Sequence, residues 1–171
     1  RIIEQMDLSD PVQLLQATVL MVGWNFLLRT AETVSGILAN QAIWFQSSTR
    51  RGVTLRFYRS TTYLTGAGFR VSVDDFDHPL SAVRLLQEWW RIGDFSNRSQ
   101  SFLFPAIING AIVYSQAMTG DYVRQLIKTR VASIGLNPSR FSGHSLRAGG
   151  ATDLFALCVQ YWVIKKMGRW K

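Results

Sequence analysis

The segment Phe141-Ser142-Gly143-His144-Ser145-Leu146-Arg147 sets an imidazole and a guanidinium three residues apart, on one face at the start of a predicted helix. A helix start carries unpaired N–H groups and the positive end of the macrodipole, so an anion there could meet backbone donors, Arg147 and His144 together. The guanidinium is a permanently charged fork, whereas histidine exchanges a proton near neutrality. That combination suits phosphate chemistry, in which charge on non-bridging oxygens is stabilised while a proton moves.

Composition points the same way. The 171 residues hold 19 Lys+Arg against 11 Asp+Glu, a formal charge of +8, which favours a polyanionic partner such as nucleic acid or an anionic membrane. Residues 122–171 contain nine basic residues and one acid, while residues 1–121 contain ten of each, so the excess sits in the last fifty residues. Fifteen arginines against four lysines favour paired contacts to phosphate oxygens. A single cysteine, Cys158, excludes an internal disulfide, and with only His78 and His144 beside it argues against structural zinc. An intracellular protein without metal or cofactor is the resulting expectation. Lacking an initiator Met and a signal-peptide pattern, the chain reads as a piece of something longer.

The elements that must position these residues follow from pattern. Asp10-Pro11 is a helix start, and the uncharged run to about Trp24 is a core helix; Gln13, Gln16, Thr18, Gly23 and Asn25 interrupt it too often for a membrane span. Arg29 to Ile37 reads as a second short helix, with Thr30 or Glu32 near its first turn. Ala42–Gln46, Val53–Arg59 and Phe69–Val73 read as three antiparallel strands, with turns at Ser47–Gly52 and Ser60–Gly68. This sheet carries Arg50, Arg51, Arg56, Arg59 and Arg70 and no acid; Asp74, Asp75 and Asp77 follow in a loop closed by His78-Pro79. Leu80, Val83, Leu86 and Trp90 mark an amphipathic helix over Pro79–Trp90, with Trp89 and Trp90 packed. After a polar loop, the stretch from Phe102 to Met118 is the least informative. Thr119 caps a helix to about Ile134, with Val123, Leu126, Ile127 and Ile134 inward and Arg124, Lys128 and Arg130 outward. Gly135 and Pro138 end it. Helices over Ser142–Cys158 and Val159–Met167 follow, and Leu154, Phe155, Leu157, Val159 and Trp162 read as core packing. The whole, residues 1–171, is one α+β domain, mainly helical with a small sheet.

Three separated strings resemble one family. His144-Ser145-Leu146-Arg147-Ala148-Gly149-Gly150-Ala151-Thr152 resembles the His-x-Leu-Arg box of tyrosine recombinases of the phage-integrase type, with the small-residue helix after it. Leu27-Leu28-Arg29-Thr30-Ala31-Glu32 resembles the family's first arginine box, and Val163-Ile164-Lys165-Lys166-Met167-Gly168-Arg169-Trp170 its third. The resemblance runs from about Asp10 to Lys171. It implies the tyrosine-recombinase catalytic fold, in which arginines grip a scissile DNA phosphate, a tyrosine attacks to give a 3′-phosphotyrosyl link, and the freed 5′-hydroxyl end is exchanged. It further implies Arg29 and Arg147 as phosphate clamps, His144 as acid/base or phosphate donor, and Arg169 where the family commonly has histidine. Glu32 would orient the arginines, and Trp170 offers another donor. Arg56, Arg59, Lys128, Arg140 and Lys165 are the expected DNA contacts. The implied partners are double-stranded DNA, in nucleus or nucleoid, and further copies of the parent protein on it; no metal, cofactor or membrane is implied.

Two positions depart from the family pattern. The turn between the second and third strands, where the family has a lysine that protonates the leaving oxygen, reads Arg59-Ser60-Thr61-Thr62, and Thr61 cannot serve as a cationic acid. Cys158 stands where the family usually has glycine. The nucleophilic tyrosine and the helical core-binding domain of the family fall outside this chain, and Tyr161 precedes the third box and reads as packing or surface. The expectation is a chain that binds DNA without cutting it. An inactive recombinase-derived binding module, a type IB topoisomerase-like domain and a basic domain for RNA or anionic lipid are the alternatives.

Overall fold

A computed structural model describes residues 2–34, 36–58, 68–76, 78 and 80–170. The central helix, α1 (Pro11–Asn25), begins as the sequence predicts: the Asp10 carboxylate accepts from the Val12 N–H at 3.0 Å and Pro11 fills the first turn. It is apolar on nearly every side because it is enclosed by other helices. Its one buried hydroxyl, on Thr18, donates back to the Leu14 carbonyl at 2.7 Å. Among the described residues no helix is long and apolar enough to cross a membrane.

Helix α2 (Thr30–Val34) is shorter than predicted. The antiparallel sheet follows in the order β1 (Ala42–Gln46), β2 (Arg51–Phe57), β3 (Phe69–Asp74). Val53, Leu55, Phe57 and Val71 are buried on its inner face. The expected turn at Ser60–Gly68 lies, up to Ala67, outside the described residues, as do Arg59 and Thr61. Helix α3 (Ala82–Ile92) starts later than expected, because Ser81 caps it through the Arg84 N–H at 3.1 Å; Pro79 is not described. Trp89 is fully buried, and its indole N–H donates to the Leu103 carbonyl at 2.8 Å.

The uninformative stretch is a hairpin, β4 (Pro105–Ile108) and β5 (Ala111–Ala117). Its turn is Asn109-Gly110, both left-handed at φ 51° and 79°. Helix α4 (Gly120–Ser133) is capped by Thr119 as expected, with Val131 taking the inward place predicted for Ile134, which is half-buried. Helix α5 (Ser145–Ala156) crosses α1 at a close approach: a Cβ on Gly150 would lie 2.1 Å from the Trp24 carbonyl oxygen. Helix α6 (Tyr161–Gly168) packs on α5.

The apolar stripe predicted as core is corrected by the structure. Phe155, Leu157 and Trp162 are 68%, 74% and 63% exposed, and Tyr161 stands beside them at the surface. Helix α5 turns Leu146, Arg147 and Gly150 inward, and its larger apolar residues lie beyond the part that packs on α1. Between α5 and α6, Cys158 sits at φ 58°, the left-handed conformation that favours glycine. Since its thiol is exposed, Cys158→Gly is expected to stabilise the chain by about 0.5–1 kcal/mol in urea denaturation, a gain reduced by the greater freedom of glycine in the unfolded chain. A lower midpoint would show that the thiol contributes more than the backbone strain removes.

Candidate functional site

Leu27, left-handed at φ 49°, turns the chain out of α1 and sets Arg29 at the head of α2. Glu32, three residues on, folds back: Oε2 accepts the Arg29 backbone N–H at 2.8 Å and Oε1 accepts Arg29 Nη1 at 3.0 Å. The backbone contact is one half of a capping box, the carboxylate reaching back to the N–H three residues earlier, and this carboxylate is almost completely buried.

Two more arginines converge on that carboxylate from the far end of the chain. Arg169, left-handed at φ 56° just past α6, donates from Nη2 to Glu32 Oε2 at 2.5 Å and to the Leu27 carbonyl at 3.3 Å. Its Nη1 donates to the Met167 carbonyl at 2.8 Å, and its guanidinium lies 4.3 Å from the centre of the Phe69 ring on β3. Arg147, one turn into α5, brings Nη1 to 3.8 Å from Glu32 Oε2, donates from Nη2 to the Gly168 carbonyl, and lies 4.4 Å over the Trp170 ring. The three strings singled out in the sequence thus meet around one carboxylate.

Among the described residues the three guanidiniums face a single carboxylate, a local excess of positive charge. Its effect appears at Arg147, whose pKa is pushed down to about 10 by burial first, then by Arg29 and Arg169, with Glu32 opposing. A bound anion would relieve that penalty. Access is from the Arg29 side, because the Arg29 side chain is 29% exposed while those of Arg147 and Arg169 are each 6% exposed.

His144 is placed differently from Arg147. It occupies the cap position of α5 and is exposed; Arg147 turns inward, and among the described residues no hydrogen bond ties the imidazole to the Glu32 cluster. The turn carrying His144 is nevertheless fixed to α2, since the buried Thr30 hydroxyl donates to the Gly143 carbonyl at 2.6 Å. Trp170 meets the cluster through its ring. Lys128 on α4 and Arg140 in the 3-10 turn Pro138–Arg140 are exposed, Lys165 on α6 and Arg56 on β2 are half-buried, and none is bonded to the cluster. Arg59 lies outside the described residues.

Sequence reasoning missed the supports of the site: Thr30 as the strut to Gly143, Phe69 as the platform under Arg169, and the Leu27 and Gly168 carbonyls as acceptors. Only Phe69 left a trace, as an aromatic residue in a strand; it stacks on Phe57 across the strand pair at 4.4 Å.

No family model and no curated protein matches this sequence. Solved structures do match by shape. The chain superposes over 98% of its length, at a TM-score of 0.65 and 13% identity, on the XerH site-specific recombinase bound to palindromic difH substrate in a post-cleavage complex. A pre-cleavage complex of XerH with difH matches over 97% at 0.64 and 13% identity. The chain spans 42% of the length of each. The architecture, six helices with a three-stranded antiparallel sheet and a hairpin among the described residues, is therefore an α+β fold shared with part of the XerH recombinase.

Proposed function

We propose that this chain is the duplex-DNA-gripping part of a tyrosine-recombinase catalytic domain, and that the Arg29–Arg147–Arg169 cluster around Glu32 holds a backbone phosphate. The observation that carries this reading is the convergence of three guanidiniums on one buried carboxylate, within a fold shared with a recombinase solved on its DNA substrate. Arg29, the most open, meets the non-bridging oxygens first, and Arg147 and Arg169 supply fixed positive charge behind it. His144, exposed at the cap of α5, is assigned the proton exchange with the attacking or leaving oxygen. In the parent enzyme a tyrosine oxygen would bond to phosphorus and the 5′-oxygen would leave with a proton, joining strands between copies assembled on DNA. Glu32 positions the arginines without touching the substrate. Lys128, Arg140 and Lys165 are assigned to phosphates along the flanking duplex.

A second reading, a recombinase-derived module that binds and never cuts, is favoured by Thr61 in the lysine position. One experiment addresses both. Fluorescence anisotropy with a labelled duplex should show log K falling linearly with log salt, by about 0.9 per phosphate contacted. The same chain on nicked suicide substrates should form no covalent adduct. Salt-independent or absent duplex binding would remove the proposal, and an adduct at Tyr161 would overturn the assignment of this chain as non-cleaving.

A further inference from the structure

We propose that Arg56 and Arg70 form a second phosphate-binding site on the outer face of the sheet, separate from the Glu32 cluster, and that its ligand is another backbone phosphate of the bound duplex. The two residues are direct partners across β2 and β3. They share the solvent-side face with Thr54 and Ser72, the next pair along, whose hydroxyls are bonded to each other at 2.8 Å. Like charges directly opposite each other in an antiparallel pair repel, and a fold normally separates them or neutralises them. Here no carboxylate among the described residues neutralises them. Arg56 Nε is buried without a hydrogen-bond partner.

The hairpin cannot supply a partner. The sequence from Gly52 to Val73 contains no acid at all, so the turn between the strands adds only Arg59. The carboxylates that follow in sequence are already engaged: Asp74 receives Arg50 at 2.8 Å, and Asp75 receives Arg51 at 2.6 Å and Arg84 at 3.3 Å. A recess of about 200 Å³ opens between Arg56, Arg70, Tyr58 and Gly68, floored by Phe57 and Phe69. An anion seated there would accept from both guanidinium ends and offset the repulsion between them.

The choice of a DNA phosphate rests on the reading above. Phe69, whose ring carries Arg169, is the immediate neighbour of Arg70, so the two clusters lie on opposite faces of one strand end. A duplex engaged at the first is the nearest source of phosphate for the second.

The test uses the double variant Arg56→Gln/Arg70→Gln, with two independent measurements. In duplex titrations it should lower the slope of log K against log salt by about one and weaken binding roughly eightfold near 0.1 M salt, the contribution of one phosphate contact. In thermal melts with inorganic phosphate replacing chloride at constant ionic strength, the wild type should gain more stability than the variant. In chloride alone the variant should melt as high as the wild type or higher, because the repulsion is gone. The melts read this site without DNA, so they decide it even if duplex binding itself fails. An equal phosphate response in the two proteins would overturn the site; a lost response with unchanged duplex affinity and slope would reject DNA as the ligand and leave a site for free phosphate.

Discussion

Glu32→Gln is expected to destabilise the chain by about 3–5 kcal/mol, because it removes one partner of a buried ionic cluster while leaving the others in place. The substitution preserves shape, so any loss is electrostatic. The amide can still accept one or two hydrogen bonds, but the three guanidiniums then lose the one carboxylate they share among the described residues. Urea denaturation checks it through the midpoint at unchanged m-value. Phosphate in the buffer should restore part of the loss, since an anion substitutes for the missing carboxylate charge. A midpoint within error of the wild type would show that the cluster is not electrostatically coupled.

Arg147→Ala is expected to act on binding more than on folding. Near 0.1 M salt the loss of one phosphate contact weakens duplex affinity roughly eightfold and lowers the salt slope by about one. The stability change should be smaller than for Glu32→Gln, for a reason visible in the pKa. A base whose folded pKa is lowered, here to about 10, carries its charge at a cost; that cost is fully present below pH 10 and is relieved as pH rises from there toward the ordinary arginine value. Deleting the group removes the cost along with the Trp170 stacking and the bond to Gly168. The same sign predicts a pH signature: duplex affinity of the wild type falls as pH approaches about 10, and that component is missing in the variant. Equal salt slopes for the two proteins would separate Arg147 from the phosphate. Arg147→Lys, which keeps charge but loses the planar fork, should recover slope more fully than affinity.

How much of this could be read from the sequence differs between scaffold and site. Capped helix starts at Asp10 and Thr119 were legible because the signal is local: a side chain, a nearby N–H, a known spacing. The three strands were legible through β-branched and aromatic runs. The Asn109-Gly110 hairpin was equally local and was passed over, because the apolar residues around it alternate weakly. Arg29, Arg147 and Arg169 were legible as members of three strings, yet their convergence on Glu32 is a tertiary fact that no spacing encodes. The exposed Phe155, Leu157 and Trp162 fail for the opposite reason: helical periodicity says which residues share a face, and only packing says whether that face is covered. Exposure of His144 was likewise hidden, since three residues' separation from Arg147 fixes direction along the helix start and not depth.

The bond from Arg169 to Glu32 joins residues 137 positions apart. Closing so long a loop is entropically costly and is repaid only when the intervening elements are already packed. During synthesis, the first arginine and its carboxylate leave the ribosome long before the last arginine exists, and α2 must wait with only the Arg29–Glu32 pair in place. The three-arginine cluster around Glu32 is thus among the last features to form, and its assembly marks completed folding: a chain that has packed α1 to α4 but not yet docked α6 would have most of its core and an incomplete cluster.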